Sequence, residues 1–223
     1  MYWKDEGYLL SKYNYRENSI IIETFTLNHG KYSGIVYGGS SKKQKRNYQI
    51  GNKVSLSWKS KGENKIGYFN IELIKPVSPL YFDDKKKSIC IFAAASILKI
   101  LLPERQINKK IYISFDQLVE QFNQDNWIKL YIFWELSLIK ELGFEINFRD
   151  KNYFLNHIND SFEINDRYFK IPELLLKRNI KELSNVKIRE ALTFNKNLIM
   201  KNFILPHGLK LPLSRNILEK YYD

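Results

Sequence analysis

Val54, Leu56 and Trp58 alternate with Lys53, Ser55, Ser57 and Lys59, and a two-residue period laid on a helix would scatter its apolar side chains around the axis. It dictates a strand with one buried face. Phe69, Ile71 and Leu73 repeat the period against Asn70 and Glu72. Further apolar and aromatic runs cover residues 7–13, 19–27 and 31–37, separated by the polar stretch 14–18 and the turn Asn28-His29-Gly30. The first 76 residues therefore predict about five strands, and five short strands in that length suggest a small closed barrel, which leaves no bare edge.

After Pro76 and Pro79 the period changes to that of a helix. Residues 88–102 are apolar on most sides, with Ser88 as cap and Pro103 as stop. Ser114 and Gln117 have the spacing of a capping box for a helix running to about residue 123. Asn126 can cap residues 127–142, a stretch so poor in charge that it predicts a helix buried on most of its surface. Pro172 can start a short helix. Residues 184–204 place Ile188, Ala191, Leu192, Ile199 and Phe203 on one face, broken only by Asn195, and a last helix spans about residues 213–222. The Asn- and Asp-rich stretch 144–170 is the least regular. The expected fold class is α+β: a five-stranded barrel over residues 1–79, then an α-helical domain over 80–223. Among small five-stranded barrels the OB-fold is the commonest nucleic-acid platform, although alternation fits an SH3-like barrel equally well.

The chain has 223 residues, 44% of them hydrophobic, enough to bury a core and too apolar for a disordered chain. One Cys, Cys90, excludes an internal disulfide and a multi-cysteine zinc site, and suits a reducing cytoplasm. Lys4, Asp5 and Glu6 interrupt any leader-like opening, and the longest apolar run, residues 89–98, is too short to span a bilayer. The expectation is a cytoplasmic protein with no membrane association. Catalysis, including that of an unrecognised metal nuclease, is poorly supported: His29, His157 and His207 are scattered, Cys90 falls in an apolar helix, and Asp5-Glu6 and Asp83-Asp84 are sequence neighbours that do not converge on one metal. No catalytic residue, metal or cofactor is expected.

The formal charge is +12, from 36 basic and 24 acidic residues. Lys abundance can follow from AT-rich codons, so local clustering is the better guide. Residues 1–76 hold 13 bases and 6 acids, a net +7, against 23 and 18, a net +5, in the rest. The sharpest cluster is the stretch 38–46, where Lys42, Lys43, Lys45 and Arg46 follow Gly38-Gly39-Ser40-Ser41 with no acid among them. It reads as a loop joining two strands, whose cations neutralise phosphates while the flanking Tyr37 and Tyr48 stack on bases. The bland alternative is a solvated hairpin loop. Trp58 falls on the apolar face and belongs to the core. Lys85-Lys86-Lys87, just before the helix over 88–102, offer an anion site at a helix start, or a surface turn neutralised by Asp83 and Asp84.

Trp3-Lys4-Asp5-Glu6-Gly7, Glu17, Thr26-Leu27-Asn28-His29-Gly30-Lys31, the Gly38-Gly39-Ser40 loop, Leu101-Leu102-Pro103-Glu104, Trp134-Glu135-Leu136, Leu142-Gly143-Phe144 and Leu205-Pro206-His207-Gly208-Leu209 occur in an order that resembles the bacterial DNA repair and recombination mediator family RecO. The resemblance implies an amino-terminal OB-fold and a carboxy-terminal helical domain. It also implies binding to single- and double-stranded DNA, annealing of complementary strands, partnership with RecR and the tail of the single-stranded-DNA-binding protein SSB, and loading of RecA. Lys85, Lys86 and Lys87 beside an apolar helix suit the acidic SSB tail. Many members carry a four-cysteine zinc module where this chain has residues 144–170 without a Cys, so that segment is expected to lack zinc and to be held by Phe148, Tyr153, Phe154 and Phe169. The rival classes are an RNA-binding or ribosome-assembly OB-fold factor and a scaffold that binds only proteins.

Overall fold

In the computed structural model of the chain, Val54, Leu56 and Trp58 are all buried, as their alternation requires. The structure describes residues 1–39, 41–62, 65–144, 161–164, 167–176 and 183–223. Strands β1 (Tyr2–Arg16), β2 (Ser19–Thr26), β3 (Gly30–Tyr37), β4 (Lys53–Lys59) and β5 (Gly67–Lys75) close a barrel in the order β1-β2-β3-β5-β4. Neighbours are antiparallel except β3 and β5, which close the barrel in parallel at Gly34↔Gly67 and Ile35↔Tyr68. This topology is that of an OB-fold and settles the choice that alternation left open.

Closure depends on two residues without side chains. A Cβ on Gly34 would lie 2.5 Å from Phe69 Cδ2, and one on Gly67 would lie 2.2 Å from Trp58 Cε2. Trp58 locks the seam further, its Nε1 donating to the Ser33 carbonyl at 3.3 Å. Around them Leu9, Ile20, Ile22, Val36, Tyr48, Val54, Phe69 and Ile71 complete the barrel core, and full burial of each large apolar side chain contributes roughly 1.5–3 kcal/mol.

β1 is longer than its apolar run, residues 7–13, predicts. Its first half pairs with β4 from Tyr2↔Lys59 to Tyr8↔Lys53, and its second half pairs with β2 as far as Arg16↔Ser19. Charges on Lys4, Asp5 and Glu6 concealed the first half, because its outward positions face water.

Two compact units result: Met1–Ile113 with Pro212–Arg215, and Ser114–Leu211 with Asn216–Asp223. Besides the barrel, the first unit holds α1 (Lys42–Asn47), the single turn α2 (Val77–Leu80) and α3 (Lys85–Leu101). α3 buries Cys90, Ile91, Ala93, Ala94, Ala95, Ile97 and Leu98 and packs on β1. Its carboxy-terminal end is tied to the barrel by polar bonds. Lys31 Nζ donates to the Lys99 carbonyl at 2.6 Å, and Lys99 Nζ lies 3.3 Å from Glu23. Burial pushes both amines below the usual lysine range, and for Lys31 the charges of Glu23 and Glu104 partly restore it. Beyond α3, Glu104 bridges in parallel to Lys31 of β3.

The start of α3 corrects one expectation. The cap is Asp84, whose carboxylate accepts from Lys87 N at 3.0 Å, while Ser88 Oγ donates to the Tyr81 carbonyl. An aspartate suits the positive end of a helix, so the helix starts three residues earlier and takes the lysines into its first turn. Likewise α4 (Lys109–Glu120) starts at Asn108, whose Oδ1 accepts from Ile111 N at 3.3 Å. Ser114 lies inside that helix, so its spacing to Gln117 imitates a capping box.

In the second unit, α5 (Trp127–Glu141) is buried on most of its surface, as its sequence predicts. The strands β6 (Ser161–Ile164) and β7 (Arg167–Lys170) pair antiparallel, and α6 (Glu173–Leu176) follows. α7 (Asn185–Ile199) is capped by Ser184 and passes into a π-turn over Met200–Ile204; α8 (Leu213–Lys220) ends the chain. Asn195, the break in the apolar face of α7, is fully buried and donates to the Ile132 carbonyl at 2.9 Å and to Glu135 at 3.2 Å. Glu135 also accepts from the Tyr131 hydroxyl at 2.6 Å, so the Asn195 Nδ2 is satisfied across α5 and α7 rather than turned to water, while its Oδ1 is buried with no hydrogen-bond partner among the described residues. The expected packing of Phe148, Tyr153, Phe154 and Phe169 lies outside the described residues, although the backbone of Phe169 pairs with Phe162. Among the described residues no helix is long and apolar enough to cross a membrane.

Candidate nucleic-acid interface

The basic stretch after β3 is a helix, not an irregular loop. Gly38, at a φ of +69°, turns the chain, its N–H donating to the Asn18 carbonyl at 2.6 Å. Ser41 then caps α1 by accepting from Gln44 N at 3.4 Å. At the other end, Tyr48 N donates to the Gln44 carbonyl and Asn52 Nδ2 to that of Asn47, both at 3.0 Å. Lys, Gln and Arg are good helix formers behind a serine cap, a signal that the density of cations obscured. Lys42, Lys43, Lys45 and Arg46 all lie on α1, and Arg46 is exposed.

The two tyrosines expected to stack on bases have different fates. Tyr37 is 69% exposed at the end of β3. Tyr48 is 4% exposed, a member of the barrel core, and burial pushes its phenol above the usual range. At that exposure the ring has too little accessible surface to stack on a base, so Tyr48 leaves the stacking set. It instead lines, with Lys12, Tyr13, Asn14, Ile20 and Gly39, a cleft of about 350 Å³. Trp58 is core, as its strand position predicts.

Tyr37 has a companion that sequence reasoning missed. The ring of Tyr68, at the start of β5, stacks on it with centroids 5.2 Å apart and planes 16° apart. The hydrogen bond between their phenols holds Tyr37 protonated to higher pH than a free tyrosine; nearby Arg16 opposes the effect. Arg16, at the end of β1, also sits 5.2 Å above the ring of exposed Tyr15. The available signal was position: Gly67, Phe69 and Ile71 point inward, so Tyr68 is an aromatic on the solvent face of its strand.

Lys85, Lys86 and Lys87 stand on the first turn of α3, with Asp84 both capping the helix and lying 3.9 Å from Lys87 Nζ. Lys87 also sits 5.4 Å above the ring of Tyr81. Next to this turn Leu80 and Phe82 are exposed, Phe82 to 81%.

His29 is occupied structurally. Its ring stacks on Trp3 with centroids 4.0 Å apart, and its Nδ1 lies 2.8 Å from Asp5 Oδ2. Asp5 also accepts from Asn28 N and from Asn28 Nδ2, at 2.8 and 3.0 Å. Burial raises its pKa, but the bonds from His29, Asn28 and Glu6 outweigh that and hold the carboxyl below the usual aspartate range. Asp5, Asn28 and His29 thus join the first strand to the β2–β3 turn. His157 lies outside the described residues, and Cys90 is buried.

A closed barrel in OB-fold order, with a cationic helix between β3 and β4 and further helices after β5, defines the class of OB-fold proteins with a helical region following the barrel. The family model for recombination protein O N terminal matches residues 1–77, and that for recombination protein O C terminal matches residues 83–152. Proteins named DNA repair protein RecO from Roseobacter denitrificans and Cereibacter sphaeroides are 31% and 33% identical over 147 residues, 66% of this chain. One of the same name from Ehrlichia chaffeensis is 36% identical over 149 residues, again 66% of the chain. The chain belongs to the RecO family. It spans about 60% of the length of these relatives, 61%, 61% and 60% respectively.

Proposed function

We propose that this chain is a DNA repair and recombination mediator that binds single- and double-stranded DNA and anneals complementary strands, acting in the cytoplasm. With RecR it helps load RecA onto DNA coated by SSB. The observation that carries the reading is the joint position of α1, with four cations in six residues, and the exposed ring of Tyr37 just before it. Annealing requires two polyanions to approach, and a basic surface lowers their repulsion by displacing condensed counterions. Lys42, Lys43, Lys45 and Arg46 make backbone contacts while Tyr37 stacks on a base. The protein itself makes and breaks no covalent bond. Residues 1–79 form the DNA-binding domain, and residues 80–223 carry a second binding role. There the acidic, apolar-ended tail of SSB meets Lys85, Lys86 and Lys87 beside exposed Leu80 and Phe82.

Fluorescence anisotropy with labelled DNA and RNA oligonucleotides of one sequence tests the first step. Binding to both DNA forms with a steep salt dependence is expected. Preference for RNA, or no nucleic-acid binding at moderate salt, would point to a ribosome-assembly factor or a protein-only scaffold instead.

A further inference from the structure

We propose that Tyr37 and Tyr68, with Tyr15 and Arg16 beside them, form a stacking platform by which this barrel distinguishes single-stranded from duplex DNA. The proposal rests on the reading of the barrel as a DNA-binding domain and adds what that reading lacks, a device selective for one form.

Both rings stand on strands that meet at the barrel's parallel closure, where Ile35 of β3 pairs with Tyr68 of β5. Their backbones are therefore fixed by the ladder, and the offset stack between them fixes the rings. Neither ring belongs to the barrel core: Tyr37 is 69% and Tyr68 37% exposed, and Tyr15 is 43% exposed. Such aromatic area on the water side of strands contributes little to folding, and a rigid ring with an open face is pre-organised to accept another flat ring.

The charge around the platform selects the occupant. Arg16 lies over Tyr15 and acts electrostatically on Tyr37, and α1 with its four cations starts five residues after Tyr37. Aromatic faces with Arg16 beside them and a cationic helix following in the chain suit a flat ring tethered to phosphates. A base inside a duplex has both faces covered by its neighbours, so away from the two duplex ends only an unpaired base can extend the Tyr37–Tyr68 stack. Cations of α1 serve single strands and duplex alike, because both present phosphates. The tyrosines serve the single strand alone.

The test compares wild type, Tyr37→Ala/Tyr68→Ala and Tyr37→Phe/Tyr68→Phe for binding to a single-stranded oligonucleotide and to a blunt duplex of equal length. Circular dichroism confirms the fold of each variant. The alanine pair is expected to weaken single-strand binding by about 5- to 100-fold, the scale of one or two lost base–aromatic stacks. Its salt slope and its affinity for duplex should stay at wild-type values. The phenylalanine pair should bind like wild type, because the rings remain. In a single strand carrying 2-aminopurine, wild type should quench the emission and the alanine pair should not. Unchanged single-strand binding by the alanine pair, or equal loss for both DNA forms, overturns the platform while leaving DNA binding intact. A wild-type chain that binds neither DNA form overturns both readings.

Discussion

Replacing Lys42, Lys43, Lys45 and Arg46 together by Ala removes the densest run of cations in the first 76 residues. Ser41 still caps α1, Tyr48 N and Asn52 Nδ2 still satisfy its last carbonyls, and Ala is the strongest helix former, so the variant should fold. Each phosphate contact on a single strand contributes about 0.7 to the slope of log affinity against log salt. Four contacts contribute nearly 3, which over a rise from about 50 to 200 mM salt amounts to about 50-fold of the wild type's loss of affinity. The variant should therefore bind more weakly at low salt, with a slope shallower by about 3, and the two proteins' affinities should converge as salt rises. Anisotropy titrations at four or more salt concentrations measure both quantities. A folded variant with wild-type affinity and slope would refute the placement of α1 in the interface. So would an equal loss at every salt concentration, because counterion release cannot weaken binding without changing the slope.

Asp5→Asn should destabilise the barrel by about 1–3 kcal/mol in urea melts near neutral pH, since charged hydrogen bonds to His29 and Asn28 are lost. The carboxyl's folded pKa lies below its unfolded value, so its stabilisation is complete above about pH 4 and is lost as pH falls through the folded pKa; the wild-type advantage should shrink only there. Gly67→Ala should lower the melting temperature through overpacking against Trp58, costing about 1–3 kcal/mol, and a wild-type melt would mean that the seam is looser than the structure has it. An SSB tail peptide should bind Lys85→Ala/Lys86→Ala/Lys87→Ala more weakly than wild type by calorimetry; equal affinity would remove that turn as the receptor.

The barrel was legible because its strands are half-buried: Val54, Leu56 and Trp58 on β4, and Phe69 and Ile71 on β5, obey a period that only a strand satisfies. Its closure was not legible, since Gly34 and Gly67 look like turn residues until their Cβ positions are found occupied by Phe69 and Trp58. Helix starts were misplaced where two caps competed. Asp84 takes precedence over Ser88, and Asn108 over Ser114, because lysines after the true cap look like surface loop. Within the candidate interface, composition located the cations of α1 and the exposure of Tyr37. Tyr48, at the end of α1, is a member of the barrel core, a tertiary placement with no local signature. Tyr68 was missed because it meets Tyr37 only through the pairing of β3 with β5, some thirty residues apart in sequence.

In the proposed role this chain brings complementary strands together while a single-strand-binding protein covers them. Annealing of complementary oligonucleotides coated with SSB, followed by a fluorescence-quench pair with and without this chain and RecR, tests it most directly. The chain should accelerate annealing, the α1 quadruple variant should lose the acceleration, and RecR should alter the rate. Annealing no faster than with SSB alone, at a salt concentration where the chain demonstrably binds DNA, would contradict it.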